Sequence, residues 1–238
     1  KLGNAVRSLG PEGVKKGLAT TLPLALGLLQ SRGEIRRLPV NGRIDQQRYK
    51  YAAWKITPEG SFTDLARLYF GWIGAASASE FQWFSGLGVK ATKVALEPLG
   101  LVPFQDDLLA LPEDLADFQK FQVPQKPQYV LTGILDNICH LRKDATSVTE
   151  KRVGSRLSEL ANHAIFDRGL LVGLWDFDPE TGTVVWHSFV KKDRALTEAV
   201  ERMEAFIRED LGDARTFSLD GPKARAPRIA ALRKAAAG

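Results

Sequence analysis

The side chains best suited to chemistry lie in the run Glu34-Ile35-Arg36-Arg37-Leu38-Pro39-Val40-Asn41-Gly42-Arg43-Ile44-Asp45-Gln46-Gln47-Arg48-Tyr49-Lys50-Tyr51. Arg36, Arg37, Arg43, Arg48 and Lys50 are permanent cations, and a guanidinium fork matches two phosphate oxygens at once. Gln46 and Gln47 carry amides able to pair with base edges. Only Glu34 and Asp45 stand close enough in sequence to neutralise them, so the run predicts phosphate contact rather than a merely solvated surface. The other reactive residue types are poorly arranged. His140, His163 and His187 fall in no HExxH motif or short ligand pair, so no metal site is expected. Cys139 and His140 would point to opposite faces of a strand, which makes the thiol structural rather than half of a dyad. No GxSxG, Walker or GxGxxG sequence occurs, so acyl transfer by an elbow serine and nucleotide-cradling loops have no sequence warrant.

The elements that must position the cations follow from local signals. Asn41-Gly42 between two extended runs is a strong hairpin signal, and Tyr49 and Tyr51, two residues apart, share one face that should pack the ribbon on its helices. Upstream, Gly10-Pro11-Glu12 opens a short helix. Thr20-Thr21-Leu22-Pro23 caps a second one with the apolar stripe Leu22, Leu24, Ala25, Leu28 and Leu29, closed by Gly33. Helix, helix, ribbon is the order of a winged helix. The pattern recurs after Gly60: an amphipathic helix through Leu65, Leu68, Tyr69, Trp72 and Ile73, a capping box at Ser77 and Glu80, a third helix from Val89 to Leu96, then a hairpin around Gln105-Asp106-Asp107. Lys90 and Lys93 on that third helix are candidate DNA contacts, whereas carboxylates at the hairpin tip would repel a phosphate backbone.

Beyond a proline-punctuated linker at Pro124 and Pro127, three strands with short turns, Ala164–Phe166, Leu170–Phe177 and Thr183–Phe189, predict an antiparallel meander. A helix from Asp193 with the stripe Leu196, Val200, Met203, Phe206, Ile207 and Leu211 covers it. The expected fold class is α+β: winged-helix units at 1–60 and 61–123, a small antiparallel β domain with a covering helix at 124–212, and a basic tail at 213–238, read first as an unstructured extension, with a phosphate-contacting or core-docked segment as the alternative.

Charge is segregated along the 238 residues. Residues 1–60 hold eleven Lys and Arg against four Asp and Glu, 61–212 sixteen against twenty-two, and 213–238 six against two. Such basic ends favour polyanionic partners. A single cysteine excludes an intrachain disulfide and fits a reducing, cytoplasmic setting. No apolar run approaches the length of a membrane span. The opening Lys1-Leu2-Gly3-Asn4, without an initiator Met or a signal core, is expected of a cut inside a longer protein.

The stretches GEIRRLPVNGRIDQQRYKYAAW, DLARLYFGWIGAASASEFQWFSGLG and AIFDRGLLVGLWDF, in this order, resemble the bacterial tandem winged-helix proteins that include the AlkZ-like DNA glycosylases. The resemblance covers roughly residues 4–212 and implies winged-helix units and a β-rich domain around double-stranded DNA, without metal or organic cofactor. The implied activity is excision of alkylated or crosslinked bases by hydrolysis of the N-glycosidic bond. The family's catalytic Gln-x-Gln or Gln-x-Asp pair belongs to its first winged-helix unit, which this reading places upstream of Lys1. Gln105 and Asp107 spell Gln-x-Asp on a later wing and are not assigned. A non-catalytic winged-helix regulator that occupies an operator, or a scaffold whose winged helices bind protein, stays open as an alternative.

Overall fold

The computed structural model describes residues 7–16, 19–40, 49–143, 148–149, 160–216 and 220–237. The chain divides into two compact units, Lys1–Gly60 and Ser61–Gly238.

In the first unit, α1 (Gly10–Lys15) and α2 (Leu22–Ser31) each carry proline in the first turn, where a missing N–H costs nothing. Thr21 makes no side-chain cap bond. The half-buried stripe of α2 is Leu22, Leu26 and Leu29, at four- and three-residue steps, whereas Leu24, Ala25 and Leu28 are exposed, which corrects the expected stripe. Gly33, at φ +71°, turns the chain out of the helix where a Cβ would meet the Ile56 carbonyl oxygen. β1 (Ile35–Pro39) and β2 (Tyr49–Ala53) then pair antiparallel, Ile35 opposite Ala53 and Pro39 opposite Tyr49. The expected Asn41-Gly42 turn lies outside the described residues.

The second unit opens with α3 (Phe62–Ile73), held by a reciprocal capping box between Ser61 and Asp64. The two-residue strand β3 (Ala75–Ala76) leads to α4 (Ala78–Ser85), whose Ser77–Glu80 capping box is formed as expected, and then to α5 (Val89–Leu96). β4 (Val102–Gln105) and β5 (Leu108–Ala110) turn at Asp106–Asp107 and pair in the order β3-β5-β4. Tyr69, Phe70 and Phe81 are fully buried in the core under these helices, with ring centroids 5.5–6.3 Å apart. Sequence reading did not anticipate α6 (Pro112–Lys120), although Pro112 at its start and Glu113 and Asp114 in its first turn are helix N-terminal signals.

β6 (Tyr129–Thr132), β7 (His163–Asp167), β8 (Leu170–Asp178) and β9 (Thr183–Ser188) form one antiparallel meander in chain order, with the short α7 (Asn137–His140) after β6. Alternation along β8 gives the sheet two different faces. Trp175 and Phe177 pack with Leu196, Val200 and Ile207 of α8 (Arg194–Phe206) and the π-helical turn that follows it. Asp176 and Asp178 bond instead to α9 (Pro222–Ala237). The meander and the helix together are thus as expected, but the tail is not an extension: it is a helix docked on the second face of the sheet. Residues 61–123 and 124–212 belong to one compact unit, and the Tyr69 hydroxyl donates to the Leu141 carbonyl at 2.9 Å across the expected boundary.

Candidate nucleic-acid interface

On the ribbon, Arg36 and Arg37 of β1 and Lys50 of β2 are exposed, and none is in an ion pair with a described residue. Arg37 sits over the Tyr49 ring at 5.4 Å, which orients the guanidinium without cancelling its charge. Tyr51 is 42% exposed, so the tyrosine pair does not pack the ribbon down as expected; only Tyr49 is half-buried. The remaining predicted contacts of this hairpin, Arg43, Gln46, Gln47 and Arg48, lie outside the described residues. Lys90 and Lys93 are exposed on α5, one turn apart along one side of the helix, again without an ion pair among the described residues. Asp106 and Asp107 form the exposed tip of the β4–β5 hairpin.

The cations of the carboxy-terminal segment have a different fate. Arg225 is fully buried, donating to the Phe177 and Ala214 carbonyls and to Asp213. Arg228 reaches Asp176 at 2.6 Å and Asp220 at 2.6 and 2.9 Å, and Arg233 reaches Asp178 at 2.6 Å. Burial works to raise the Asp220 carboxyl, yet the hydrogen bonds from Arg228 and the Thr216 amide outweigh it and bring it down to about 2. Arg225 and Arg228 are therefore committed to the fold, while Arg233 makes its pair from a half-exposed position.

Neither Cys139 nor the histidines form a reactive pair. The buried thiol is pushed up to about 11 by desolvation. His163 stacks on Trp175 at 4.6 Å, and burial holds its ring below the usual imidazole range. Among the described residues, no group of three or more His, Cys, Asp or Glu could hold a metal ion. No described helix is long and apolar enough to cross a membrane. Sequence reading missed the surroundings of His163, because they are assembled from residues more than eighty positions apart.

The arrangement defines an α+β protein with a basic two-stranded ribbon and no assembled nucleophile among the described residues. The sequence profile of the family described as DNA glycosylase AlkZ-like matches residues 2–206, and the chain belongs to that family. No curated protein matches it. Among solved structures, the Streptomyces sahachiroi DNA glycosylase AlkZ is similar, with 16% identity and a TM-score of 0.47. The match covers 74% of this chain and 51% of that one, so the chain spans about half the length of its structural relative.

Proposed function

We propose that this chain is the DNA-binding portion of a DNA-repair glycosylase acting on alkylated or crosslinked bases in double-stranded DNA. The observation that carries the reading is a family match over most of the chain in a protein whose ribbon presents Arg36, Arg37 and Lys50 unpaired among the described residues. In this reading both helical units are winged helices, the second of which has the order helix, strand, two helices, two strands. The ribbon is the wing that follows the phosphates, and Arg43 and Arg48 extend the set. Gln46 and Gln47 reach towards base edges, and Lys90 and Lys93 supply further backbone contacts.

The chemistry is hydrolysis of an N-glycosidic bond. Alkylation makes the departing base cationic, so the bond to the sugar breaks without a strong acid, provided that water is positioned and the developing oxocarbenium ion is stabilised electrostatically. An alkylated base also leaves the duplex stack more cheaply than an intact one. No residue of this chain is assigned the water-positioning role. We place the whole enzyme in the bacterial cytoplasm, working without metal or organic cofactor.

Two measurements test the reading. With Arg36→Ala, Arg37→Ala and Lys50→Ala combined, the slope of log affinity against log salt for random duplex should fall by up to about 2.7, about 0.9 for each phosphate that is no longer neutralised. An unchanged slope removes the ribbon from DNA. The full-length enzyme should release free base from alkylated duplex with little sequence preference. A preference of a thousandfold or more for one sequence over random duplex, with no base release, identifies an operator-binding regulator instead.

A further inference from the structure

The β4–β5 hairpin and α6 leave three phenylalanines uncovered on the second unit. Phe104 of β4 and Phe118 of α6 are 38% and 39% exposed, and Phe121, at the end of α6, is 67% exposed. Their positions are set by their neighbours. Phe104 and Phe118 stack with ring centroids 4.6 Å apart, and Phe118 lies over Gly74, where a Cβ would come within 2.9 Å of its ring. Gly74 has φ +83°, which favours glycine, so the turn out of α3 fixes the seat under Phe118. Phe121 follows Phe118 by three residues and so lies one turn on along the same side of the helix. Single exposed apolar residues are ordinary, but adjoining aromatics held in place and rimmed by polar groups mark a contact surface.

The rim is of one sign. Between Phe104 and Phe121 the sequence holds five Asp and Glu against one Lys. Asp106 and Asp107 follow Phe104 closely at the exposed hairpin tip. On α6, Asp114 sits one turn before Phe118, and Asp117 one turn before Phe121. None of these four carboxylates is in an ion pair with a described residue. The fifth acid, Glu113, is taken by Arg67 at 2.7 Å. Lys120 stands two residues from Phe118, on the opposite side of the helix.

These charges choose the occupant. The phosphates of a nucleic acid or an anionic lipid would meet four carboxylates that no described cation balances. A second copy laid face to face about a two-fold axis would set the same acids against one another. A polypeptide with arginine beside apolar side chains is complementary in both respects. Its apolar groups cover the rings, while its guanidinium groups pair with the rim and lie over the ring faces.

We infer that this aromatic face docks a basic segment of a partner protein, with an apolar anchor on Phe118 and Phe121 and arginine or lysine against the acids of the hairpin tip and α6. None of these residues is on the ribbon, so the inference stands apart from the DNA reading.

The test titrates the full chain with short synthetic peptides and follows the phenylalanine ring resonances by NMR. A peptide of alternating arginine and leucine should bind and shift the rings of Phe118 and Phe121. Serine in place of leucine should weaken binding about tenfold or more, and glutamate in place of arginine should abolish it. Phe121→Ser, at an exposed position that spares the core, should weaken the arginine–leucine peptide about tenfold or more, with circular dichroism checking the fold. Asp106→Asn combined with Asp107→Asn should weaken it about fivefold at low salt and make little difference at ~1 M salt, where screening acts within about 3 Å. Equal binding of the leucine and serine peptides, no shift with any peptide, or full affinity in Phe121→Ser would overturn the inference. So would a dimer in sedimentation that Phe121→Ser abolishes, which makes a second copy the occupant, or ring shifts with a single-stranded oligonucleotide but not with the peptide, which makes it a nucleic acid. Each of these failures leaves the salt slope of DNA binding as the separate test of the ribbon.

Discussion

Replacing Arg228 with methionine tests what α9 contributes. The arginine is 22% exposed and clasps two carboxylates that are 0% and 1% exposed, Asp176 and Asp220. Methionine keeps much of the stem's volume but strands both acids. Removing one partner of a buried pair typically costs about 3–5 kcal/mol, because the remaining charge stays desolvated. Asp176 keeps hydrogen bonds from Asn162 and the Phe177 amide, and Asp220 keeps one from the Thr216 amide, so the loss should fall within that range rather than double it. For a unit of this size it corresponds to a drop in Tm of roughly 6–20 °C. Arg228→Lys, which offers one point charge in place of a two-sided fork, should fall between the two. The sign of the pH dependence separates this mechanism from lost packing. Asp220 sits at about 2 in the fold against about 3.9 unfolded, so its roughly 2–3 kcal/mol is fully present above pH ~4 and is lost as pH falls towards 2. In Arg228→Met the stranded Asp220 protonates more readily, so the gap to wild type should narrow on acidification. Urea unfolding followed by circular dichroism at pH 7 and pH 4 measures both. A loss below ~0.5 kcal/mol at pH 7, or a gap that widens in acid, would refute the reasoning.

Three other outcomes follow from local geometry. Gly173→Ala puts a Cβ 2.6 Å from the His187 carbonyl oxygen between β8 and β9, and should cost about 2 kcal/mol or more and expose the amides of β9 to hydrogen exchange. Tyr69→Phe removes the buried bond to the Leu141 carbonyl and should cost about 1–3 kcal/mol in urea unfolding, since that carbonyl loses its side-chain donor. Cys139, with its thiol held at about 11, should resist iodoacetamide at pH 8 in the folded protein, with only about a thousandth present as thiolate, and react fully in urea; fast alkylation without denaturant would contradict its burial.

What could be read in advance was whatever short-range chemistry decides. The Ser77–Glu80 capping box is two hydrogen bonds within three residues, and the meander from β7 to β9 is set by turns beside β-branched and aromatic runs, so both were legible. The stripe of α8 was legible up to its last turn. There Phe206, the last residue before the π-helical segment Ile207–Leu211, is 47% exposed while Ile207 beside it is buried. β3 is two alanines long and exists only because β5 pairs with it, so no local pattern could announce it. The α9 helix was hidden by Pro222 and Pro227 and by its lack of an apolar stripe: only Ile229 and Leu232 are buried apolar contacts, and two of its arginines, Arg228 and Arg233, anchor it to Asp176 and Asp178, acids more than fifty residues away in sequence. Charge read along a line cannot distinguish a cation facing solvent from one facing Asp176.

That distinction changes what the charge segregation means. In sequence the two basic ends look alike. In the structure Arg215, Arg225, Arg228 and Arg233 of the carboxy-terminal segment are all in ion pairs, which leaves Lys223 and Lys234 as its exposed cations without one among the described residues. A salt-dependent contact with polyphosphate therefore cannot draw on Arg225 or Arg228 without first breaking a buried pair at a cost of several kcal/mol, whereas the half-exposed Arg215 and Arg233 are held only by pairs worth nearer the ~1 kcal/mol of a surface ion pair. Arg36, Arg37 and Lys50 carry no such cost, because their guanidinium and ammonium groups already face water. Hence alanine at Lys223 and Lys234 should scarcely alter the salt slope of DNA binding, while alanine at the three ribbon cations should flatten it. A larger effect at the two lysines than on the ribbon would place the polyanion on α9 and reverse the assignment.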